Sequence, residues 1–276
     1  MNTPATKVYL GLSEARSLHA AIEDVTQGLG MVHLWGMLGW QDIKQRYRRS
    51  VLGPLWLTIS TGIMVGTIGF LYSKIFGQPI RDYMPFLAIG FIVWNFLATT
   101  INEGCTVFFG AEAIIKQVKL PLTVHVCRVL WRNLLIFAHN AVIILLTVLI
   151  FEKGSLWPGA LALAGLVLIA FNCLWIIMIL GIFCARFRDI PPIIASVLQI
   201  AFFLTPILWD KAVLGIRGWF ADINPFFHLI ETIRAPLLGA AIPYASFGFL
   251  FLMGLLGTGL AIAAMSRFRA RVPYWI

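Results

Sequence analysis

Hydrophobic positions along the chain gather into six long stretches that no charged residue interrupts: 50–73, 83–102, 133–151, 154–185, 190–209 and 235–266. The shortest holds 19 residues and the longest 32. A helix needs about 20 apolar residues to cross a hydrocarbon core roughly 30 Å thick. Each stretch therefore predicts one spanning helix, at about 53–73, 84–104, 131–151, 160–184, 192–209 and 244–266, and the two longest leave room for an interfacial turn rather than a second crossing. Alternating ten-residue segments, the mark of an outer-membrane barrel, are missing. The expectation is an all-α membrane protein with its six spans inside a single domain, residues 50–269.

Three segments between or before the spans carry a different pattern. Residues 31–49 read as an amphipathic helix, with Trp40, Ile43 and Tyr47 on one face and Asp42/Arg46 and Lys44/Arg48 as i,i+4 neighbours. It is too short to span and ends strongly basic, which suits a helix lying in the membrane interface, before Gly53-Pro54 breaks it from the first span. A plain anchor ahead of that span fits the same pattern. Ala111–Leu120 predicts about three helical turns before Pro121, with Ile114, Ile115 and Val118 on one face and a Glu112–Lys116 pair. That helix suits either a partner's groove or the headgroup layer. Residues 210–243 predict short re-entrant or interfacial helices, one of them capped by Asn224 ahead of Pro225. Residues 1–30 form an N-terminal segment without a basic-then-apolar signal pattern, and 270–276 a short tail.

Composition confirms the class. Of 276 residues, 60% are hydrophobic and 12% charged, about half the charge of an average soluble domain. Too few charges exist to wet a soluble surface, so an ordinary cytosolic enzyme is excluded. Their placement orients the chain: with the N-terminus inside, fifteen Lys and Arg face the cytoplasm and six the outside. Both termini are then cytoplasmic, and the net charge of +9 reflects topology and anionic lipid rather than nucleic-acid binding. The four cysteines avoid the outer loops, so neither a disulfide framework nor a metal site is implied.

Polar residues inside apolar spans are the candidate chemistry. At about 100° per residue, His125, Arg128, Arg132 and His139 fall within roughly an 80° sector of one helix face, flanked by Asn133 and Asn140. Guanidiniums match phosphate oxygens in two-pronged hydrogen bonds, so this stripe is a candidate receptor for an anionic head group. The alternative is that both arginines snorkel to the interface while the amides and His139 bond neighbouring helices. Glu103, near the inner end of the second span, is placed to pair with Arg128 or Arg132. Phe91, Trp94, Phe202, Phe203 and Trp209 concentrate toward the outer halves of their spans, either as a lipid belt or as a stacking path for sugars. A membrane enzyme would need paired carboxylates or a His/Asp cluster at one face. Asp210 and Asp222 stand apart without a His, and His228/Glu231 reads as a helix-capping or solvated pair.

Ile43-Lys44-Gln45-Arg46-Tyr47-Arg48-Arg49-Ser50-Val51-Leu52-Gly53-Pro54-Leu55-Trp56, Arg186-Phe187-Arg188-Asp189-Ile190 and Phe203-Leu204-Thr205-Pro206-Ile207-Leu208-Trp209, with Asn224-Pro225, resemble the permeases of type-2 ABC exporters for O-antigen, capsule and teichoic acid. The resemblance covers about residues 35–270. It implies a homodimer of six-span subunits in the bacterial inner membrane, served by two copies of a separate ATPase that holds ATP and Mg. No G-x-x-x-x-G-K-[ST] loop occurs in this chain. By resemblance, 31–49 is an interface helix, 111–121 a coupling helix and 210–243 an outer gate. Glu112, Ile115, Lys116, Lys119, Asp42 and Arg46 then become candidates for contact with the ATPase. The implied substrate is a polysaccharide on an undecaprenyl diphosphate lipid; a drug or lipid cargo, or an enzyme acting on lipid-linked sugars, are the other readings.

Overall fold

A computed structural model describes residues 17–46, 48, 55–153 and 156–276. Its helices are α1 (Leu18–Gly30), α2 (Val32–Arg46), α3 (Leu55–Ile75), α4 (Ile80–Cys105), α5 (Glu112–Gln117), α6 (Leu122–Ile150), α7 (Leu156–Arg186), α8 (Ile190–Leu204), α9 (Trp219–Ile223), α10 (Pro225–Leu238), α11 (Tyr244–Phe268) and α12 (Val272–Trp275). No strand occurs among the described residues. The Gly53-Pro54 break and the place of Tyr47 lie outside them.

Five helices, α3, α4, α6, α7 and α11, are long and apolar enough to cross a membrane. The span expected at 192–209 is shorter: α8 has 15 residues, about 22 Å at 1.5 Å per residue. Pro206 explains the early stop. A residue preceding proline is pushed out of the α region, and Thr205 adopts φ −92°, ψ 137°.

Helix α4 is the centre of the bundle. Of its apolar window 67% is buried, against 11% for α3, so α3 presents most of its surface outward. The contact between α7 and α11 rests on small residues and one amide. Gly254 packs against the Phe171 ring and Gly257 against Trp175, and Asn172 Nδ2 donates to the Leu168 and Leu250 carbonyls at 2.9 and 3.1 Å. Without water in a bilayer, close backbone approach and such interhelical bonds hold helices together.

Two expected tails are structured. Within the N-terminal segment, α1 is capped by Ser17 Oγ, which accepts from Ala20 N at 3.1 Å, and it packs on α6 and α11. The C-terminal residues fold back too: Trp275 lies 5.9 Å from Phe268, ring to ring, and 5.6 Å from the Arg186 guanidinium.

At the opposite end of the bundle, the segment after α8 forms the expected short helices. A 3-10 stretch, Lys211–Arg217, leads into α9 and α10. Asn224 Oδ1 accepts from Phe226 N at 2.9 Å while its amide donates to Thr205 Oγ1 at 2.9 Å, so one residue both starts α10 and ties it to the end of α8. Pro236 does not break α10, which continues to Gly239, a cap residue at φ 70°.

Candidate functional site

A cluster of five charged residues joins the surface helix α2 to the spans α4 and α6. Asp42 of α2 accepts from Arg128 Nε at 2.8 Å and Nη2 at 2.5 Å, and from Arg132 Nη1 at 2.8 Å. Glu103 of α4 accepts from Arg132 Nη2 at 2.6 Å, Asn133 Nδ2 at 2.6 Å and Arg46 Nη2 at 2.9 Å. The local cause is helical spacing: Arg128, Arg132 and Asn133 lie within two turns of α6, so all three donors face the groove that α2 and α4 flank. Burial opposes the Asp42 charge, but the two guanidiniums outweigh it and hold the carboxyl below its ordinary value of 3.8.

Asp42, an i,i+4 neighbour of Arg46, faces α6 and accepts from Arg128 and Arg132. Arg128 and Arg132 share a face as expected, but carboxylates occupy both guanidiniums, so the stripe is not an open anion receptor in this conformation. Of its histidines, His125 is buried with neither ring nitrogen bonded among the described residues. It borders a small cavity of about 90 Å³ with Glu103, Arg128 and Arg132. His139 stands two turns beyond Arg132 along α6, its Nδ1 on the Leu135 carbonyl at 2.7 Å.

The helix expected at Ala111–Leu120 is present but short. A 3-10 turn, Phe109–Ala111, precedes the six-residue α5. Val118 leaves the helical face because the approach to Pro121 is extended, at φ −126°, ψ 127°. On the exposed side Lys116 Nζ donates to Glu112 Oε1 at 2.7 Å, a bond that holds the Glu112 carboxyl below its ordinary value of 4.5. Ile115, Val118 and Lys119 border a cleft of about 400 Å³ whose other walls come from α1 and the C-terminal segment, including Glu23, Arg269 and Pro273.

Asp24 at the base of that cleft was invisible to sequence reasoning. Its carboxylate accepts from the Leu122 and Thr123 backbone N–H groups, both at 3.1 Å, and from Thr123 Oγ1 at 2.9 Å. Pro121 offers α6 no side-chain cap, so a carboxylate from α1 satisfies those donors and complements the helix dipole. Arg269 closes the set, 3.6 Å from Asp24 and bonded to the Ala20 carbonyl.

The aromatic residues near the other end meet as a packed group. Trp94 lies 5.7 Å from Phe202 and 5.2 Å from Phe226, and Phe91 lies 6.4 Å from Phe202. Trp94 is buried, whereas Phe203 is exposed and its carbonyl accepts from Trp209 Nε1 at 3.2 Å. The other three of the five rings, Phe91, Phe202 and Trp209, are half-buried, and the Phe203 ring lies 5.2 Å from Phe202. His228 does not solvate its helix; it is buried, with Ser246 Oγ at 2.8 Å from Nδ1 and the Asp222 carbonyl at 2.8 Å from Nε2. Further along α10, Arg234 is 3% exposed. Its guanidinium donates to the Pro206 carbonyl at 2.7 Å and to Glu231 at 2.7 Å, and lies 4.1 Å from the Phe86 ring centroid.

Five long apolar helices centred on α4, with a surface helix tied by ion pairs to two of them, define a multi-pass helical membrane protein. The chain belongs to the ABC-2 type transporter family, whose model matches residues 33–238. It is similar to an O-antigen export system permease protein RfbA of Klebsiella pneumoniae, 23% identical over 236 residues, covering 84% of this chain and 90% of the relative. It is also similar to an O-antigen export system permease protein RfbA of Myxococcus xanthus, 24% identical over 235 residues, with 84% and 89% covered.

Proposed function

We propose that this chain is the permease subunit of an ATP-driven exporter that moves a lipid-linked polysaccharide of the O-antigen kind from the cytoplasm across the bacterial inner membrane. The observation that carries the reading is the near-complete overlap with two O-antigen export permeases, covering 90% and 89% of their lengths. The charged cluster supports a transport role: it joins a surface helix to two spans, as a subunit driven from outside the bilayer requires.

In this reading both termini and the basic end of the bundle are cytoplasmic, and α8 with the following loop serves as the sixth span. Two copies of the chain face each other through surfaces such as α3, 11% of whose apolar window is buried within one subunit. Two copies of a separate ATPase hold ATP and Mg and contact α5 and α2, where Glu112, Ile115, Lys116, Lys119, Asp42 and Arg46 lie. Closure of the ATPase pair pushes α2, and Asp42 passes the displacement to α6 through Arg128 and Arg132. ATP drives transport only because it favours one arrangement of the spans over the other. Sugar hydroxyls are costly to bury in hydrocarbon, so the cargo crosses in a protein-lined path.

A strain lacking this chain tests the reading. Lipid-linked glycan accumulates inside and disappears from the surface; unchanged surface glycan with altered drug tolerance refutes it.

A further inference from the structure

Above the charged cluster, a polar cleft of about 210 Å³ lies among α3, α4 and α6. Thr61, Asn95, Thr99, Asn133 and Asn140 contribute hydroxyls and amides to its wall, with Arg46 at one end. Asn133 and Asn140 are seven residues apart on α6, so the cleft rises about 10 Å from the level of Glu103 into the spans. Asn140 is 8% exposed, and its Oδ1 has no hydrogen-bond partner among the described residues. A buried amide oxygen left unpaired in a membrane protein is costly, and it points to a ligand that supplies the missing donor.

The wall chemistry identifies the class of that ligand. Every polar side chain lining the cleft other than Arg46 is neutral, and Arg46 already donates to Glu103. A phosphate would find one shared cation there, whereas hydroxyls find amide and hydroxyl partners of both polarities. The same wall carries Phe96 and Phe137, whose rings stand 5.2 Å apart. Aromatic faces beside amides suit a sugar, which has an apolar face and a rim of hydroxyls. We propose that this cleft holds one neutral sugar residue of the cargo, with Asn140 Oδ1 accepting from a sugar hydroxyl. This rests on the export reading above and adds a binding subsite to it.

The test uses the permease with its ATPase in cells making their own glycan. Asn140→Leu removes the unpaired amide and fills its space. Surface glycan falls about tenfold, the loss of one hydrogen bond made to cargo, while the melting temperature of the purified complex stays level or rises. Thr99→Val, at an exposed wall position, lowers export in the same direction and guards against a folding failure at 140. A photoreactive benzophenone side chain at 99 forms an adduct with the strain's own lipid-linked glycan, and one at the exposed position 167 on α7 does not. Normal surface glycan in both variants, or adducts at neither position, overturns the assignment and leaves a hydrated cleft. A strain lacking the whole chain serves as reference: if it accumulates no lipid-linked glycan, the export reading fails; if it does while the variants export normally, the sugar subsite alone fails.

Discussion

Asp42 and Arg128 lie 86 positions apart in the chain and meet in a two-pronged ion pair, with Nε to Oδ2 at 2.8 Å and Nη2 to Oδ1 at 2.5 Å. The pair fixes a helix on the bundle surface to a span, and Arg132 shares the same carboxylate. The side chains are only 12% and 20% exposed. Breaking one partner of a largely buried pair leaves the other charge uncompensated, at a cost of about 3 kcal/mol. Asp42→Asn therefore lowers the stability of the purified permease by that order. Arg128→Met in the same background recovers part of the loss, because the orphaned cation is gone. Thermal unfolding of the four members of the double-mutant cycle reads both terms.

The same carboxylate sets a pH dependence. Its folded value is depressed below 3.8 by Arg128 and Arg132 against the opposing effect of burial. The stabilisation is complete above the unfolded value and disappears as pH falls through the folded one. Above about pH 5 the melting temperature of the wild type exceeds that of Asp42→Asn by a constant margin. Below pH 3.8 the margin shrinks. A margin that widens on acidification contradicts the pairing.

The spans were legible in the sequence because hydrocarbon tolerates few charges, so charge-free stretches mark the helices. Helix ends were legible where proline or asparagine set them, as at Asn224. The length of α8 was misjudged because Thr205-Ile207, though apolar enough for a span, is turned out of the helix by Pro206. The charged stripe was visible as a periodicity on α6, and Glu103 as a partner for it, which Arg132 takes up; Asp42 was not visible as one. Asp42 satisfies a local i,i+4 rule with Arg46 equally well, and nothing in a one-dimensional pattern says that α2 lies across α6. Asp24 is a sharper case. The second of two adjacent acids, Glu23-Asp24, caps a helix that starts 98 residues later, and the one hint was that Pro121 leaves that helix without a cap of its own.

Arg234 makes a second buried ion pair, at the opposite end of the bundle. Arg234→Ala leaves Glu231 unpaired, frees the Pro206 carbonyl and removes the cation over Phe86, so it destabilises by about 3–5 kcal/mol. Arg234→Met with Glu231→Gln recovers most of that. Equal melting temperatures for wild type and Arg234→Ala would show that the pair contributes nothing.

The short helix α5 offers a separate test of the partner. Ile115 is half-buried and borders the cleft beside α1, whereas Lys116 is exposed. Lys116→Glu places two acids one turn apart on α5 without touching the core. The permease remains folded with an unchanged melting temperature, and co-purification of its ATPase falls about tenfold. Undiminished capture would remove α5 from the docking surface.

The most direct measurement compares surface glycan with internal lipid-linked glycan in cells carrying the wild-type chain, Asp42→Asn, or none. With the chain absent, glycan leaves the surface and accumulates inside on its lipid. With Asp42→Asn, the permease still reaches the membrane, yet the distribution shifts the same way. Normal surface glycan and no internal lipid-linked glycan in both strains would contradict a polysaccharide export permease driven through the Asp42 pair.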